Sequence, residues 1–210
     1  MLGYATNDPG EVFALRARDL TPTDGAMTTL FPLPPLPFGG ADAFLAALAD
    51  EVVPWVESHY QTDHTRRTLA GVSFGGLFAL FTLFHHPALF AGYVVGSPSL
   101  WWDEGIASRW EEAWAGGHHD LPARVFLSVG AHEQTVGDTW KNEGFPLEIL
   151  QRAAEVDRVR AFTDRLRGRR YPNLHLEAAV FAGEYHLTAP PAMLTRGLLS
   201  ILEHDARSGP

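Results

Sequence analysis

A serine between glycines is the strongest chemical signal in this chain. Residues 71–76 read Gly-Val-Ser-Phe-Gly-Gly, a G-x-S-x-G pattern with Ser73 between a strand-like and a helix-like segment. Such a serine sits on a tight turn where side chains at the glycine positions would collide, and the turn exposes its hydroxyl at the end of a sheet. The pattern predicts a nucleophilic serine, with the N–H of Phe74 at the helix start as an oxyanion donor. The alternative is a chance Gly/Ser pattern at a helix start.

A serine hydroxyl is a weak nucleophile until a base takes its proton. In folds that carry this serine turn, the acid and then the histidine follow later in the chain. Of the ten histidines, His186 is the one that follows the last predicted strand, in a loop that contains glycine. We therefore predict that His186 is the general base. The alternative is a loop histidine without a catalytic role.

The segments around these residues alternate between strand and helix patterns. Apolar residues at four-residue spacing predict a helix over 44–56, which Pro54 should kink, and the proline-rich residues 20–40 are predicted to be a long loop. The predicted strands are residues 68–72, 91–95, 124–129 and 174–181, and the other predicted helices are residues 75–84, 102–114, 147–166 and 192–204. This alternation predicts an α/β fold, a mostly parallel sheet with helices on both faces.

Composition limits the partners that this chain can have. Its 210 residues suit a single domain over 1–210, and 46% hydrophobic with 20% charged residues is the profile of a globular protein. A net charge of −9 argues against a nucleic-acid partner. The absence of cysteine excludes disulfides and thiolate chemistry. No apolar run could span a bilayer and no secretory signal is visible, so we expect a cytoplasmic protein without a membrane partner.

Neither a metal site nor a phosphate-binding loop is expected. His118, His119 and Asp120 follow two glycines in a predicted loop, and no second ligand pair stands at a defined spacing. Residues 71–76 lack the Lys-Ser/Thr ending of a phosphate-binding loop. The prediction is a protein without cofactors.

Four segments, spread in order over nearly the whole chain, carry a family resemblance. They are residues 16–22 (RARDLTP), 67–80 (RTLAGVSFGGLFAL), 95–103 (VGSPSLWWD) and 181–186 (FAGEYH). They resemble the Putative esterase family of α/β-hydrolases, which includes esterase D-type enzymes, feruloyl esterases and bacterial siderophore esterases of the enterobactin type. The resemblance implies an α/β-hydrolase fold and a serine esterase that cleaves a small-molecule carboxylic ester. Residues 95–103 are similar to the siderophore-esterase branch, which implies a siderophore trilactone as substrate.

The resemblance also implies an acid for the triad. A G-x-x-[D/E] pattern follows the third predicted strand as Gly-Ala-His-Glu over residues 130–133. This pattern implies that Glu133 is the carboxylate that orients His186 and stabilises its imidazolium form. An exposed loop glutamate is the alternative, and Asp138 is the second candidate. Some siderophore esterases work with a Ser–His dyad, in which case the acid is dispensable.

Two pairs of residues are candidates for substrate contact, each with a structural alternative. Trp101 and Trp102 follow a strand end and could form an apolar wall for an aromatic acyl group, or pack in the core. Arg16 and Arg18 lie in a segment like the family's R-x-R-D, and could contact an anionic or catecholate substrate. Alternatively they pair with Asp19 to fix the loop.

Compared with the family, the chain is short at its N-terminus. Members usually carry several strands before this point, and Leu2-Gly3-Tyr4 looks like the end of one. The lacking part would hold the strand beside residues 68–72, whose edge would then be unpaired, and the loop with the second oxyanion donor. A reading frame that starts upstream, partial substitution by the residues up to the proline-rich loop, or pairing of two copies as a homodimer could each explain this. We favour the first.

Alternative functions stay open at this point. A general carboxylesterase or an acyltransferase could use the same fold and the same serine, because a fold hosts many chemistries. A catalytically impaired remnant that acts as a binding module is the non-enzyme alternative. The shortened N-terminus favours the remnant, whereas the presence of both Ser73 and His186 argues against it.

Overall fold

Four parallel strands form the centre of the molecule in the computed structural model, which describes residues 3–24, 36–135 and 146–207. The strands are β1 (Thr68–Val72), β2 (Gly92–Gly96), β3 (Ala123–Gly130) and β4 (Leu174–Phe181), and they lie in that order across the sheet. In the register, Val72 lies opposite Gly96, and Gly130 lies opposite Phe181. Because all four strands are parallel, their carboxyl ends meet at one edge of the sheet.

Helices cover both faces of this sheet. In chain order they are α1 (Pro9–Leu20), α2 (Ala41–Ala47), α3 (Val53–His59), α4 (Phe74–His85), α5 (Ile106–Gly117), α6 (Leu147–Ala153), α7 (Glu155–Arg169) and α8 (Ala189–Arg207). A π-helical turn, Leu48–Val52, joins α2 to α3, and short 3-10 turns lie at His64–Arg66 and Trp102–Glu104. None of the described helices combines the length and the apolar character that a membrane crossing requires.

Alternation along the central strands divides the interior into two cores. Tyr93 and Val95 of β2 belong to the larger core, which also contains apolar residues of α4, α5 and α7. Val94, between them, belongs to the smaller core with Met193 and Ile201 of α8. Successive side chains of a strand point to opposite faces, so this division places α8 on one face and α4, α5 and α7 on the other. The predicted α/β architecture is confirmed.

The strand predictions match the structure more closely than the helix predictions. Strands 68–72 and 174–181 have the predicted bounds, and the other two differ by one residue at each end. The predicted helix over 147–166 is wrong as one helix, because Ala154 has a left-handed backbone (φ 48°) that separates α6 from α7. The helix predicted from residue 102 begins at Ile106, after the 3-10 turn. The disruption expected at Pro54 appears as the π-helical turn directly before α3.

In the described sheet, β1 is an edge strand that pairs on one side only. Gly3 and Tyr4 lie in no strand, so the prediction that they end one is wrong for these residues. Across the described ranges β1 pairs with β2 alone, and Ala70 at its centre is exposed. Gly3 and Tyr4 therefore do not pair with the outer edge of β1. Pairing of two copies as a homodimer stays a prediction.

Candidate active site

Ser73 lies directly after β1, on the turn into α4. Its φ of 60° and ψ of −121° are values that residues with a side chain rarely adopt. Its N–H donates to the carbonyl of Gly96 at 3.0 Å, and its carbonyl accepts from the N–H groups of Leu77 at 3.0 Å and Ser99 at 3.3 Å. The turn is thus bound both to the end of β2 and to α4, and these contacts hold the strained conformation in place.

The two glycines of the serine pattern have different roles. A Cβ on Gly71 would lie 2.1 Å from the carbonyl oxygen of Gly75, whereas a Cβ on Gly75 would meet nothing within 4 Å. Gly71 is therefore required by the close approach of β1 to the start of α4, and Gly75 is not.

We expect Gly71→Ala to lower the free energy of unfolding by about 3 kcal/mol, because overlap with backbone atoms cannot be relieved by a rotamer change. Gly75→Ala is the matched control and should stay within about 0.5 kcal/mol of the wild type. Urea denaturation followed by circular dichroism measures both. Equal midpoints for the two variants would show that the turn is looser than its geometry indicates.

Glu133 and His186 form a short contact at the same edge of the sheet. His186 Nδ1 lies 2.6 Å from Glu133 Oε2. The side chain of Glu133 is 2% exposed and that of His186 is 40% exposed. An ionised carboxylate only accepts hydrogen bonds, so the geometry assigns the proton to Nδ1 and leaves Nε2 as the acceptor. This is the tautomer that a general base needs.

Backbone hydrogen bonds between the loops after β3 and β4 bring this pair together. The N–H of Ala131 donates to the carbonyl of Phe181, and the N–H of His132 donates to the carbonyl of Glu184, both at 2.9 Å. A Cβ on Gly130 would lie 2.6 Å from the same Glu184 oxygen, so the contact depends on a glycine at that position. The acid and the histidine are therefore positioned by main-chain contacts of their own loops.

Ser97 is a site residue that the sequence analysis missed. It follows β2 with a φ of 40°, is 1% exposed, and its Oγ donates to Glu133 Oε1 at 2.5 Å. The N–H of Gly130 donates to the same oxygen at 2.7 Å. With His186, the Glu133 carboxylate accepts three hydrogen bonds, which stabilise its ionised form and fix its orientation. The position of Ser97 directly after a strand was the available signal.

The structure places Ser73, Glu133 and His186 at one edge of the sheet. They follow β1, β3 and β4 respectively, and Glu133 and His186 are in direct contact. Between the described residues, no hydrogen bond joins Ser73 Oγ to His186. Phe74 is the first residue of α4, so its N–H is among those without an acceptor inside the helix. The second acid candidate, Asp138, lies outside the described residues.

An aromatic cluster borders the serine turn. The ring of Phe74 lies 6.2 Å from that of Phe13, 6.5 Å from that of Trp101 and 5.5 Å from that of Trp102, between centroids. Trp102 is 0% exposed, and its Nε1 donates to Thr23 Oγ1 at 3.0 Å. Trp102 therefore packs in the core, the structural alternative considered for it, and has no exposed surface for a substrate to contact. Trp101 is half-buried, and Phe13, which the sequence analysis missed, is 39% exposed.

The two arginines of α1 differ in their partners. Arg18 donates to both oxygens of Asp19, at 2.6 and 3.1 Å, which is the structural alternative considered for it. Arg16 is half-buried and has no ion pair with any described residue. Burial and then the Asp19 carboxylate raise the pKa of Tyr4 to about 12, with Arg16 and Arg18 acting in the opposite direction, so this phenol stays protonated. Arg16 is thus the arginine of the pair whose charge no described carboxylate neutralises.

The histidine cluster considered for metal binding has structural contacts instead. The ring of His118 stacks on that of Trp114 at 3.7 Å, and Asp120 accepts from Asn173 Nδ2 at 2.7 Å. Within the described ranges, no group of three or more His, Cys, Asp or Glu residues could hold a metal ion.

Comparisons with known proteins bear on this site. The family model described as Putative esterase matches residues 27–179. The ferri-bacillibactin esterase BesA of Bacillus subtilis is 27% identical over 213 residues, and a siderophore triacetylfusarinine C esterase of Aspergillus fumigatus is 33% identical over 139 residues. These matches cover 97% and 63% of this chain, but only 66% and 44% of the relatives' own lengths.

A solved structure gives a similar result for the fold. The siderophore hydrolase EstA from Aspergillus nidulans matches with a TM-score of 0.82 and 27% identity, over 99% of this chain and 71% of the EstA chain. The sheet and helices described above thus follow the α/β-hydrolase fold of these enzymes, as predicted. Because the family model spans most of the sequence, the chain belongs to the Putative esterase family.

Proposed function

We propose that this protein hydrolyses carboxylic esters through an acyl-enzyme on Ser73, with His186 as base and Glu133 as acid. The observation that carries the proposal is the 2.6 Å contact between His186 Nδ1 and Glu133, at the same sheet edge as the strained Ser73 turn. A buried, fully hydrogen-bonded carboxylate behind a half-exposed histidine is the arrangement that a serine nucleophile requires.

The chemistry takes place in two halves. His186 Nε2 takes the proton of Ser73 Oγ as that oxygen attacks the ester carbonyl, and the Phe74 N–H donates to the developing oxyanion. The imidazolium, stabilised by Glu133, then protonates the departing alcohol and leaves an ester on Ser73. In the second half, His186 takes a proton from water as its oxygen attacks the acyl carbon; the bond from that carbon to Ser73 Oγ then breaks, the carboxylic acid is released, and His186 returns the proton to Ser73.

For the substrate we propose a siderophore ester, such as a trilactone that carries catecholate groups. The names of the relatives support this class, and so do two features of the chain. Phe13, which is exposed, and Trp101, which is half-buried, both have their rings near that of Phe74, the residue after the serine. Arg16 follows Phe13 by three residues on α1, so it lies on the same side of that helix, and its positive charge, unpaired among the described residues, could meet an anionic ring. Arg18 and Trp102 would contribute indirectly, through Asp19 and through packing beneath Trp101.

The test compares two esters in Arg16→Gln and in Arg160→Gln, a matched control on the exposed side of α7. We expect Arg16→Gln to lower kcat/KM about tenfold for a catecholate trilactone, and to leave p-nitrophenyl butyrate within about twofold of the wild type. The control should change neither.

Equal losses on both esters would assign Arg16 to the fold rather than to the substrate. Turnover of the butyrate ester with none of the trilactone would favour the general carboxylesterase, and transfer to an added alcohol in preference to water would favour the acyltransferase.

A further inference from the structure

Glu155 is a buried carboxyl group that the proposed reaction does not use. It is the first residue of α7, and 4% of its surface is exposed. Among the described residues neither of its carboxyl oxygens has a hydrogen-bond partner. The left-handed Ala154 before it redirects the chain and places Glu155 inside the protein. A buried polar group without a hydrogen-bond partner destabilises the folded state. The position of Glu155 therefore raises the question of whether it has a role near the site.

The carboxyl group of Glu155 lies beside the Glu133 loop. Gln134 Nε2 donates to Asp157 Oδ2 at 2.6 Å, and the N–H of Asp157 donates to Gln134 Oε1 at 3.0 Å, so this loop is bound to the first turn of α7. The negative charge of Glu133 is near enough to raise the pKa of Glu155. His132 is the other titratable residue of the loop. Two negative charges buried near each other repel, which disfavours the doubly ionised state.

The hydrogen-bond donors decide which carboxyl group holds the proton. Glu133 accepts from Ser97, Gly130 and His186, and all three contacts favour its ionised form. Among the described residues Glu155 has no side-chain donor, and burial, followed by the charge of Glu133, raises its pKa well above the ordinary value. Environments that differ in this way assign the negative charge to one carboxyl group and the proton to the other. Glu155 is thus the uncharged acid of the pair.

Two groups favour the ionised form of Glu155, but both are committed to other partners. Arg158 and the N–H of Leu100 lower its pKa. However, Arg158 Nε donates to the carbonyl of Ala153 at 3.0 Å, and the Leu100 N–H donates to the carbonyl of Pro98 at 2.5 Å. Neither meets strict hydrogen-bond geometry with a Glu155 oxygen, although the Leu100 N–H is close enough to act on the pKa of this group. Burial therefore outweighs them, and it also outweighs the helix N-terminus, which favours a negative charge.

The other charged groups on elements packed against α7 act elsewhere. Glu111 of α5 accepts from Arg169 at 2.7 Å and lies 3.6 Å from Arg165, both near the far end of α7. His175 and Glu177 stand in the first half of β4, toward the edge opposite to His186. The electrostatic environment of Glu155 is therefore set by Glu133 and Arg158.

We propose that Glu155 is a positioning residue for the Glu133–His186 pair, an uncharged acid that leaves Glu133 as the single carboxylate behind His186. When Glu155 loses its proton, repulsion between the two carboxylates moves Glu133 away from the imidazole. Catalysis is sensitive to displacements of about 1 Å, so turnover falls. The inference rests on the proposed serine esterase activity.

The first test is the pH profile of kcat/KM for p-nitrophenyl butyrate in the wild type, in Glu155→Gln and in Glu148→Gln. The last is a control that removes an exposed carboxylate from α6. Glutamine keeps the uncharged state at every pH, so we expect Glu155→Gln to match the wild type within about twofold at the pH of maximal activity and to lack the decline at higher pH. That decline should reach about tenfold in the wild type and in the control. The same decline in Glu155→Gln, or a loss as large at neutral as at alkaline pH, would overturn the proposal.

The second test reports on Glu155 independently of activity. The pKa of Glu155 is raised on folding, so the folded chain holds an extra proton, and the stability linked to it is complete below the ordinary value of 4.5 and is lost as pH rises through the higher folded-state pKa. We expect the urea midpoint of the wild type to fall relative to that of Glu155→Gln as pH rises above the ordinary carboxyl value. If this happens without Ser73-dependent turnover, the proposed function fails and the positioning role fails with it. If turnover is present and both pH series coincide, only the Glu155 proposal fails.

Discussion

Replacing Ser73 with alanine should lower kcat/KM for p-nitrophenyl butyrate by at least about 10³-fold, because the attacking oxygen is lost while the rest of the site stays in place. The rate is measured after subtraction of buffer hydrolysis, at enzyme concentrations checked by absorbance. Residual turnover within tenfold of the wild type would show that another group attacks the ester.

The same position should show a cost in stability. Ser73 has φ 60° and ψ −121°, and a conformation of this kind costs on the order of 1–3 kcal/mol in a residue with a side chain. Ser73→Gly should therefore raise the free energy of unfolding by about 1 kcal/mol, whereas Ser73→Ala, which keeps a Cβ, should not. Both variants are expected to be inactive. A glycine variant that is more stable than the wild type but inactive would indicate that the backbone strain at Ser73 is retained for function.

Replacing Glu133 with glutamine should have the second largest effect, a loss of about 10²- to 10⁴-fold in kcat/KM. The amide is isosteric with the carboxylate, so the fold should persist. However, it cannot accept from Ser97, Gly130 and His186 at once, and it carries no charge to stabilise the imidazolium. The measurement is kcat/KM at pH 7.

Glu177→Gln, an exposed glutamate of β4, is the matched control for this substitution and should be silent. If Glu133→Gln keeps more than half of the wild-type activity while remaining folded, the Ser–His dyad considered at the outset describes the enzyme. The carboxylate would then serve the fold alone.

Local patterns in the sequence predicted the strands and singled out two candidate site residues. A strand of this sheet is a short apolar segment between turn residues, so 68–72 and 174–181 could be located to the residue. Ser73 and His186 were located because each follows such a strand. The start of α1 was also readable but was missed: Asp8 accepts from the N–H of Glu11 at 2.8 Å, and Pro9 is the first helical residue.

Other features depend on contacts between segments distant in the sequence. Ala154 breaks a helix with neither glycine nor proline as a signal, and the residue that follows it, Glu155, is buried. Phe13 joins the site only because α1 packs beside Phe74, and Ser97 only because β2 ends next to Glu133. Such relationships arise from packing and are not carried by any single segment.

The account depends most on Ser73 being the group that becomes acylated, and an irreversible organophosphate ester tests this directly. We would incubate the wild type, Ser73→Ala and Glu133→Gln with diethyl p-nitrophenyl phosphate, and determine the intact masses and the modified peptide. The account predicts one diethylphosphoryl group per wild-type chain, on the peptide with Ser73, slower labelling of Glu133→Gln and none of Ser73→Ala. An unlabelled wild type that still hydrolyses p-nitrophenyl butyrate, or equal labelling of Ser73→Ala, would contradict it.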